Sequence, residues 1–182
     1  MTPEALERLK YPIGKFVRGT KAGTPERRAE CIVIIRTFPQ KLRTEVQGLS
    51  AAQLDTPYRP GGWTVRQVVH HLADSHMNAL IRFKWALSEV HPTIKAYKQD
   101  LWAEQVDART MPIAASQEIL SGIHARWAIL LENMGTTDFQ RTFIHPEQDR
   151  IIALEETLEN YVWHSHHHLA HITGLKTRMG WE

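Results

Sequence analysis

Histidine is concentrated in two short segments of this 182-residue sequence. Eleven histidines are present, and eight of them lie within residues 70–76 and 164–171. Neutral imidazole is the commonest side-chain ligand for transition metals, and its ordinary pKa lies close to neutral pH. The second segment is internal and contains Leu and Ala among its histidines, so it is not a purification tag. The two segments are therefore the first candidates for a site that does chemistry.

The spacing inside the second segment is typical of a metal site on a helix. His164 and His168 are four residues apart, which places their side chains one above the other on one helix face. Two imidazoles in that arrangement can reach one divalent ion, and a third ligand from another helix would leave positions open for water or substrate. The same spacing also fits a surface stripe of histidines, or core histidines that hydrogen-bond to carbonyl groups.

The spacing leaves two choices open. His167 and His171 form a second pair four residues apart on an adjacent helix face, so spacing does not select one pair. In the first segment, the side chains of His70 and His71 would point about 100° apart on a helix, and at most one can face the ion. The other is expected to face solvent, a neighbouring helix or the surroundings of the metal ligands.

Four long helices account for most of the sequence. Hydrophobic periodicity predicts them over about residues 25–48, 64–90, 116–135 and 153–179. The second has the clearest start, because Thr64 and Gln67 have the spacing of a capping box, and Trp63 and Val68 that of a hydrophobic staple. Pro39 lies inside the first, where a kink or break is expected. Both histidine segments therefore fall inside predicted helices, the first near the start of its helix and the second in the middle.

The fold class that these helices predict is an all-α four-helix bundle. Residues 141–152 contain a His-Pro pair and two adjacent isoleucines, which favours a small hairpin or extended loop before the last helix. Residues 93–112 are less regular, and this long connection permits a topology other than a simple up-and-down bundle. We expect a single domain over residues 1–182, with residues 1–23 as an irregular N-terminal extension.

Composition and charge disfavour several classes of function. Twenty-two Lys and Arg against 20 Asp and Glu leave a net charge of +2, which disfavours nucleic acid or an anionic membrane as a partner. The sequence has no apolar signal region at its start and no apolar run that approaches a membrane span, so we expect a cytoplasmic protein. Its single cysteine, Cys31, lies in an apolar run and is not expected to do redox chemistry.

Three stretches of the sequence resemble the YfiT group of the DinB superfamily. They are Tyr-Pro-Ile-Gly at residues 11–14, residues 54–78 with the run Gly-Gly-Trp-Thr-Val-Arg-Gln-Val-Val-His-His-Leu, and residues 161–172 around the second histidine segment. The resemblance spans nearly the whole chain, and its middle motif is far more specific than two histidines four residues apart. It implies a four-helix bundle that forms a cytoplasmic homodimer and holds one divalent metal ion per subunit.

The resemblance also implies the metal ligands. Placed on this sequence, they are His71, His164 and His168, which resolves both choices that spacing leaves open. Zinc is expected in preference to nickel. YfiT-like proteins are named as metal-dependent hydrolases, whereas other members of the superfamily are thiol transferases or isomerases that use bacillithiol, mycothiol or glutathione.

A metal-dependent enzyme is the function that this site predicts. A divalent ion held by three neutral imidazoles keeps its positive charge, which lowers the pKa of a bound water to about 7 or keeps a thiol ionised. Attack by water on a small electrophilic substrate would be hydrolysis, and attack by a low-molecular-weight thiol would be S-transfer, which the resemblance favours. Asp74, one turn after His71, and Tyr161, three residues before His164, are candidate catalytic residues that could orient a ligand or substrate.

Other interpretations of these residues stay open at this point. Asp74 also fits a solvated carboxylate on a helix surface, and Tyr161 a core tyrosine. Arg59 and Arg66 flank a glycine turn and could steer an anionic thiol or substrate, although arginines are common at helix starts. A metal-binding or stress-response protein without catalysis is the alternative function, in which the histidines buffer or sense an ion. Nucleic-acid binding is disfavoured, because the sequence has no basic run.

Overall fold

The long helices lie where the sequence predicts them. The structure, a computed structural model, describes residues 2–19 and 23–181. Its helices are α1 (Pro3–Lys10), α2 (Pro25–Val46), α3 (Ala51–Leu54), α4 (Val65–Ser88), α5 (Gln99–Ala103), α6 (Val106–Thr110), α7 (Ala114–Glu132), α8 (Thr136–Phe139) and α9 (Leu154–Met179), and its strands are β1 (Thr142–His145) and β2 (Arg150–Ala153). Within the described residues, the four longest helices are α2, α4, α7 and α9, which confirms the predicted helical bundle. The predicted hairpin is confirmed too, because β1 and β2 pair antiparallel immediately before α9.

The packing of the long helices makes α4 and α9 neighbours. α2 lies against both α7 and α9, and α4 lies against the same two helices. The apolar core forms two clusters, one around Phe83 and Trp127 and the other around Phe38 and Leu72. Between them lies His76, whose ring stacks on Phe38 and meets Trp127 edge-on. The bundle therefore holds a layer of imidazoles between two apolar clusters.

The start of α4 is fixed by hydrogen bonds that the sequence predicts. The Thr64 hydroxyl accepts from the backbone N–H of Gln67, and the Gln67 side-chain oxygen accepts from the backbone N–H of Thr64. This reciprocal pair satisfies two of the N–H groups that every helix start leaves without an intrahelical partner. Because the helix begins at a defined residue, the direction in which each later side chain points is also defined.

Pro39 does not break α2, which continues as one helix to Val46. Proline removes the backbone N–H that would bond the carbonyl of the residue four positions earlier, here Ile35. That carbonyl is paired in another way, because Nδ1 of His124 on α7 contacts it. A side chain from a neighbouring helix thus replaces the missing bond, and the expected break is absent.

The N-terminal segment departs from the prediction of an irregular extension over residues 1–23. Residues Pro3–Lys10 form α1, because the Thr2 hydroxyl accepts from the backbone N–H of Ala5 and Pro3 occupies a position where its missing N–H costs nothing. The irregular connection over residues 93–112 likewise contains the short helices α5 and α6. Across the described residues, every helix is too short or too polar to cross a membrane.

Candidate metal centre

Three histidines from α4 and α9 lie close together in the structure. The ligand nitrogens of His71, His164 and His168 all lie within 4.8 Å of one another. Nε2 of His71 is 3.2 Å from Nε2 of His164, and the ring centroids of His164 and His168 are 4.5 Å apart. The structure thus brings together the three residues that the family resemblance implies as metal ligands.

His70, the neighbour of His71, faces a different part of the bundle. Its Nδ1 is 2.7 Å from the Ser116 hydroxyl, and its Nε2 is 3.1 Å from the Met111 carbonyl. Both nitrogens therefore have partners on or just before α7, and the ring is buried. The sequence left three possible surroundings for the histidine that does not face the ion: solvent, a neighbouring helix or the surroundings of the metal ligands. In the structure, His70 contacts a neighbouring helix.

The other pair on α9 belongs to the wall beside the cluster. Nε2 of His171 is 3.0 Å from the Lys10 carbonyl at the end of α1, and its ring stacks on Tyr58 with 3.9 Å between centroids. The ring of His167 stacks on Trp163 at 4.4 Å. These contacts leave His167 and His171 next to the three-histidine cluster but outside it.

The electrostatics of the cluster suit a cation bound by neutral nitrogen. Burial lowers the pKa of His71 to about 3, and it lowers the pKa of His164 and of His168 well below the usual 6.5, with neighbouring imidazoles adding to the effect. All three rings are therefore uncharged at neutral pH, which leaves each one a nitrogen lone pair. Within the described residues, the buried Nδ1 of His168 has no hydrogen-bond partner.

The donor set fits a divalent transition ion. Neutral imidazoles without a thiolate suit zinc or nickel, and do not suit a site for copper(I) or calcium. Two nitrogens that bind one tetrahedral zinc at about 2.0–2.1 Å lie about 3.3 Å apart. The separation of 3.2 Å between His71 and His164 matches that value.

The cluster opens into a cavity of about 410 Å³. Its lining includes the three histidines of the cluster, the cationic residues Lys10 and Arg59, and the aromatic side chains of Tyr58, Trp63 and Trp163. The Trp63 ring lies over His71, with 4.6 Å between centroids. A second cavity, of about 670 Å³, is lined by Tyr161, Arg82 and also His164. The cluster is therefore accessible to a small molecule.

The two candidate catalytic residues have different positions. Tyr161 packs beside His164, with 5.5 Å between ring centroids, and its hydroxyl donates to the Ser75 carbonyl at 3.1 Å. Burial, and then the charge of Asp107, raise the pKa of Asp74 to about 6. Among the described residues that line the two cavities, Tyr161 is present and Asp74 is not.

The two arginines beside the glycine turn also have different surroundings. Arg59 lines the cavity over the cluster, and its guanidinium donates to the Pro60 carbonyl. Arg66 is buried in an ion pair of 2.7 Å with Asp55 and also donates to the Met111 carbonyl. Only Arg59 is therefore placed to meet a substrate.

Two further histidines belong to the site, and sequence reasoning did not select them. Nε2 of His76 lies 3.1 Å from Nδ1 of His164, and Nδ1 of His76 lies 2.7 Å from Nε2 of His124. Burial lowers the pKa of His76 well below 6.5 and that of His124 to about 4. The one signal in the sequence is that each occupies a position on the apolar face of its helix.

Comparison with known proteins gives one consistent result. The sequence model of the DinB superfamily matches residues 34–172 of this chain. The chain is 48% identical to YfiT of Bacillus subtilis (strain 168), a proposed metal-dependent hydrolase by name, over 95% of this chain and 97% of that protein. It is 45% identical to a protein of Geobacillus thermodenitrificans with the same functional name, over 97% of this chain and 98% of the relative.

A solved structure gives the same comparison in three dimensions. It is that of YfiT from Bacillus subtilis, described as a proposed metal-dependent hydrolase with an unusual four-helix bundle topology. The TM-score is 0.93 at 47% identity, and the match covers 96% of this chain and 99% of the other. The helical bundle is therefore shared over almost the full length of both chains.

Proposed function

This chain belongs to the DinB superfamily, and from that membership and its three-histidine cluster we propose that it is a metal-dependent enzyme. His71, His164 and His168 hold one divalent ion per subunit, with zinc preferred over nickel. The observation that carries the proposal is the meeting of three neutral imidazole nitrogens beside a cavity of about 410 Å³. A protein that only buffers metal has no need of that cavity, so the cavity favours catalysis over the alternative of a metal-binding protein.

The proposed reaction is nucleophilic attack on a small electrophile. A bound divalent ion supplies Lewis acidity, which makes water or a thiol available as an ionised nucleophile near neutral pH. We favour a low-molecular-weight thiol of the bacillithiol type as nucleophile, since the family resemblance points to it. In that reaction sulfur bonds to the electrophilic carbon, the leaving group departs with its bonding electrons, and the thiol proton passes to solvent.

The residues of the chain around the cluster bind and orient the reactants. Two cationic residues, Lys10 and Arg59, line the cavity, which favours a nucleophile or substrate that carries a carboxylate or phosphate. Trp63 and Trp163 line the same cavity and reduce the volume that water can fill. The Tyr161 ring packs perpendicular to that of His76, and its hydroxyl donates to the Ser75 carbonyl, so we assign Tyr161 a role in positioning these side chains.

A thiol-dependence assay tests the reaction type. Zinc-loaded and metal-free protein are incubated with monochlorobimane, with and without bacillithiol or glutathione, and with p-nitrophenyl acetate in water alone. We expect a rate that requires both zinc and thiol. A rate with the ester and none with thiol would make the protein a hydrolase, and no rate in either arm would favour metal binding without catalysis.

Matched variants on α9 connect that rate to the cluster. His168→Ala removes a proposed ligand and should abolish the zinc-dependent rate. His166→Ala alters a histidine two residues away that lines a different cavity, and it should retain the rate. Equal loss in both variants would contradict the assignment. Sedimentation of the same samples tests the homodimer that the resemblance implies.

A further inference from the structure

A continuous series of hydrogen bonds leads from a backbone carbonyl to the three-histidine cluster. It begins at the Ile35 carbonyl, which Nδ1 of His124 contacts. Nε2 of His124 lies 2.7 Å from Nδ1 of His76, and Nε2 of His76 lies 3.1 Å from Nδ1 of His164. The rings of His76 and His124 have no exposed surface, so no water competes for these nitrogens.

The carbonyl sets the direction of every bond in the series. A carbonyl oxygen only accepts, so Nδ1 of His124 must carry the proton. A ring that is fully buried and bonded to no carboxylate in the described residues stays neutral, which makes Nε2 of His124 an acceptor. His76 must then donate from Nδ1 and accept at Nε2. An acceptor at Nε2 of His76 requires His164 to donate from Nδ1, and Nε2 of a neutral His164 ring then carries a lone pair.

The first acceptor in the series exists because of a proline. In an uninterrupted helix the N–H of residue 39 would bond the carbonyl of Ile35, and Pro39 has no N–H. His124, which is 89 residues from Ile35 in sequence, contacts this carbonyl through Nδ1 in place of the missing N–H. Pro39 thus removes the backbone donor that would otherwise compete with His124 for this carbonyl.

We infer that His124 and His76 act as a positioning relay that fixes the tautomer of His164, so that Nε2 of His164 is the atom presented to the metal. Nε2 of His164 is the nitrogen that lies 3.2 Å from Nε2 of His71, inside the cluster. The orientation of a metal-bound imidazole depends on the partner of its other nitrogen. Here that partner is a series of two imidazoles and a carbonyl, where a single carboxylate or carbonyl is usual.

The relay distinguishes His164 from the other two members of the cluster. Nδ1 of His168 has no hydrogen-bond partner among the described residues, and no such series leads to His71 from the residues described. His164 is therefore the ligand whose protonation pattern is set before any ion arrives. The consequence for affinity rests on the proposed metal centre, whereas the tautomer is a property of the metal-free protein.

The tautomer is measured directly by NMR on metal-free protein. Long-range ¹H–¹⁵N spectra of ring-labelled histidine report which nitrogen carries the proton, and single substitutions assign the signals. We expect His164, His76 and His124 to carry it on Nδ1 in the wild-type protein. A wild-type His164 protonated on Nε2 would overturn the inference, whatever the protein does with zinc.

The relay also predicts a loss of metal affinity when it is cut. His124→Phe keeps an aromatic ring next to Phe38 and removes the acceptor for His76, so the tautomer of His164 is no longer imposed. We expect zinc binding, measured by competition with a chromophoric chelator, to weaken about 10–100-fold, the range for loss of an outer-shell partner. Phe143→Leu changes a buried aromatic residue on β1 that lines neither cavity beside the cluster, and it should change the affinity less than threefold.

Two further variants separate the relay from general damage to the core. His124→Gln supplies an amide N–H for the Ile35 carbonyl and an oxygen acceptor for His76, and it should recover most of the affinity lost in His124→Phe. Pro39→Ala returns a competing N–H to the Ile35 carbonyl in a helix that favours alanine, and it should weaken zinc binding severalfold without unfolding the protein. Equal affinity in His124→Phe and His124→Gln would overturn the inference. A wild-type protein that fails to bind zinc would contradict the proposed function, and the NMR result would still decide the tautomer.

Discussion

Adjacent histidines in this protein have unrelated surroundings. His71 joins the cluster with His164 and His168, whereas the nitrogens of His70 are taken by Ser116 and by the Met111 carbonyl. The 100° turn between consecutive helical positions is enough to separate the two environments. At the scale of single residues, histidine content therefore says little until each ring nitrogen is assigned a partner.

His71→Ala and His70→Ala should separate metal binding from stability. The first removes one of three proposed ligands, and zinc affinity should fall by more than the roughly hundredfold limit for outer-shell partners. The second leaves Ser116 and a carbonyl without a buried partner, so it should lower the free energy of unfolding by about 1–3 kcal/mol. Zinc titration and urea unfolding of both variants check this. A weaker zinc site in His70→Ala than in His71→Ala would contradict the assignment of α4.

The buried histidines also predict a pH dependence for the metal-free protein. Burial holds the pKa of His71 at about 3 and that of His124 at about 4, below the 6.5 of an exposed ring. At a pH between the folded-state pKa and 6.5, the unfolded chain binds protons that the folded chain does not. The free energy of unfolding is therefore highest above pH 6.5 and decreases as the pH falls. Each such histidine lowers the free energy of unfolding by about 1.4 kcal/mol per pH unit in that window.

Urea unfolding of apoprotein from pH 8 to pH 5 measures this dependence. The midpoint should be constant between pH 7 and 8 and should fall steadily below pH 6.5. A midpoint that stays constant down to pH 5 would show that the imidazoles are not held neutral in the folded protein.

At the scale of elements, the site depends on where α4 and α9 begin and how they face each other. The capping box at Thr64 sets the start of α4, and His71 follows within two turns. α9 begins directly after the hairpin, and Glu159 on it forms an ion pair of 2.7 Å with Arg27 on α2. Local sequence signals therefore determine the helix face on which each histidine lies. Contacts between helices determine which of those faces meet.

Thr64→Ala should weaken α4 at its start. Loss of the capping hydroxyl costs about 1 kcal/mol, and the effect should appear in the free energy of unfolding. The proposed ligands are untouched, so zinc affinity should change much less than in a ligand variant. Thr44→Ala is the matched control, because that exposed hydroxyl bonds a carbonyl inside α2 and its loss should stay within about 0.5 kcal/mol. Equal losses in the two variants would show that the cap contributes nothing.

At the scale of the whole molecule, the imidazole layer lies between two apolar clusters of large buried side chains. Trp127 and Phe83 are fully buried in one cluster, and Phe38 and Leu72 in the other. Burial of large side chains on this scale is the dominant favourable term in folding. The bundle is therefore expected to form without an ion, unlike small domains that fold only around a metal.

Chelation should consequently leave the fold intact. We expect the far-ultraviolet circular dichroism of chelated protein to remain strongly helical, and added zinc to raise the melting temperature through binding to the folded state. Loss of helical signal on chelation would make the ion a structural one and would weaken the proposal of an enzyme.

The local sequence determined most of the fold. The cap at Thr64, the apolar periodicity of the long helices and the hairpin signals act over a few residues, and the structure has the elements that they predict. The start of α1 carries the same kind of signal at Thr2 and Pro3, so this helix was predictable although it was expected to be irregular. The family motif, not the spacing, selected His71 from its neighbour.

Tertiary structure decided which ring nitrogens meet. Periodicity assigns a side chain to a helix face, but the partner of that face depends on how the four helices pack, and those contacts join residues far apart in sequence. Asp74 and Tyr161 were both candidates by spacing, and of the two Tyr161 is the one among the described residues that line the two cavities beside the cluster. The contact of His124 with the carbonyl freed by Pro39 spans 89 residues, and no local pattern encodes it. Hydrogen bonds of this kind form only when the core is packed, because a buried nitrogen cannot bond to water instead.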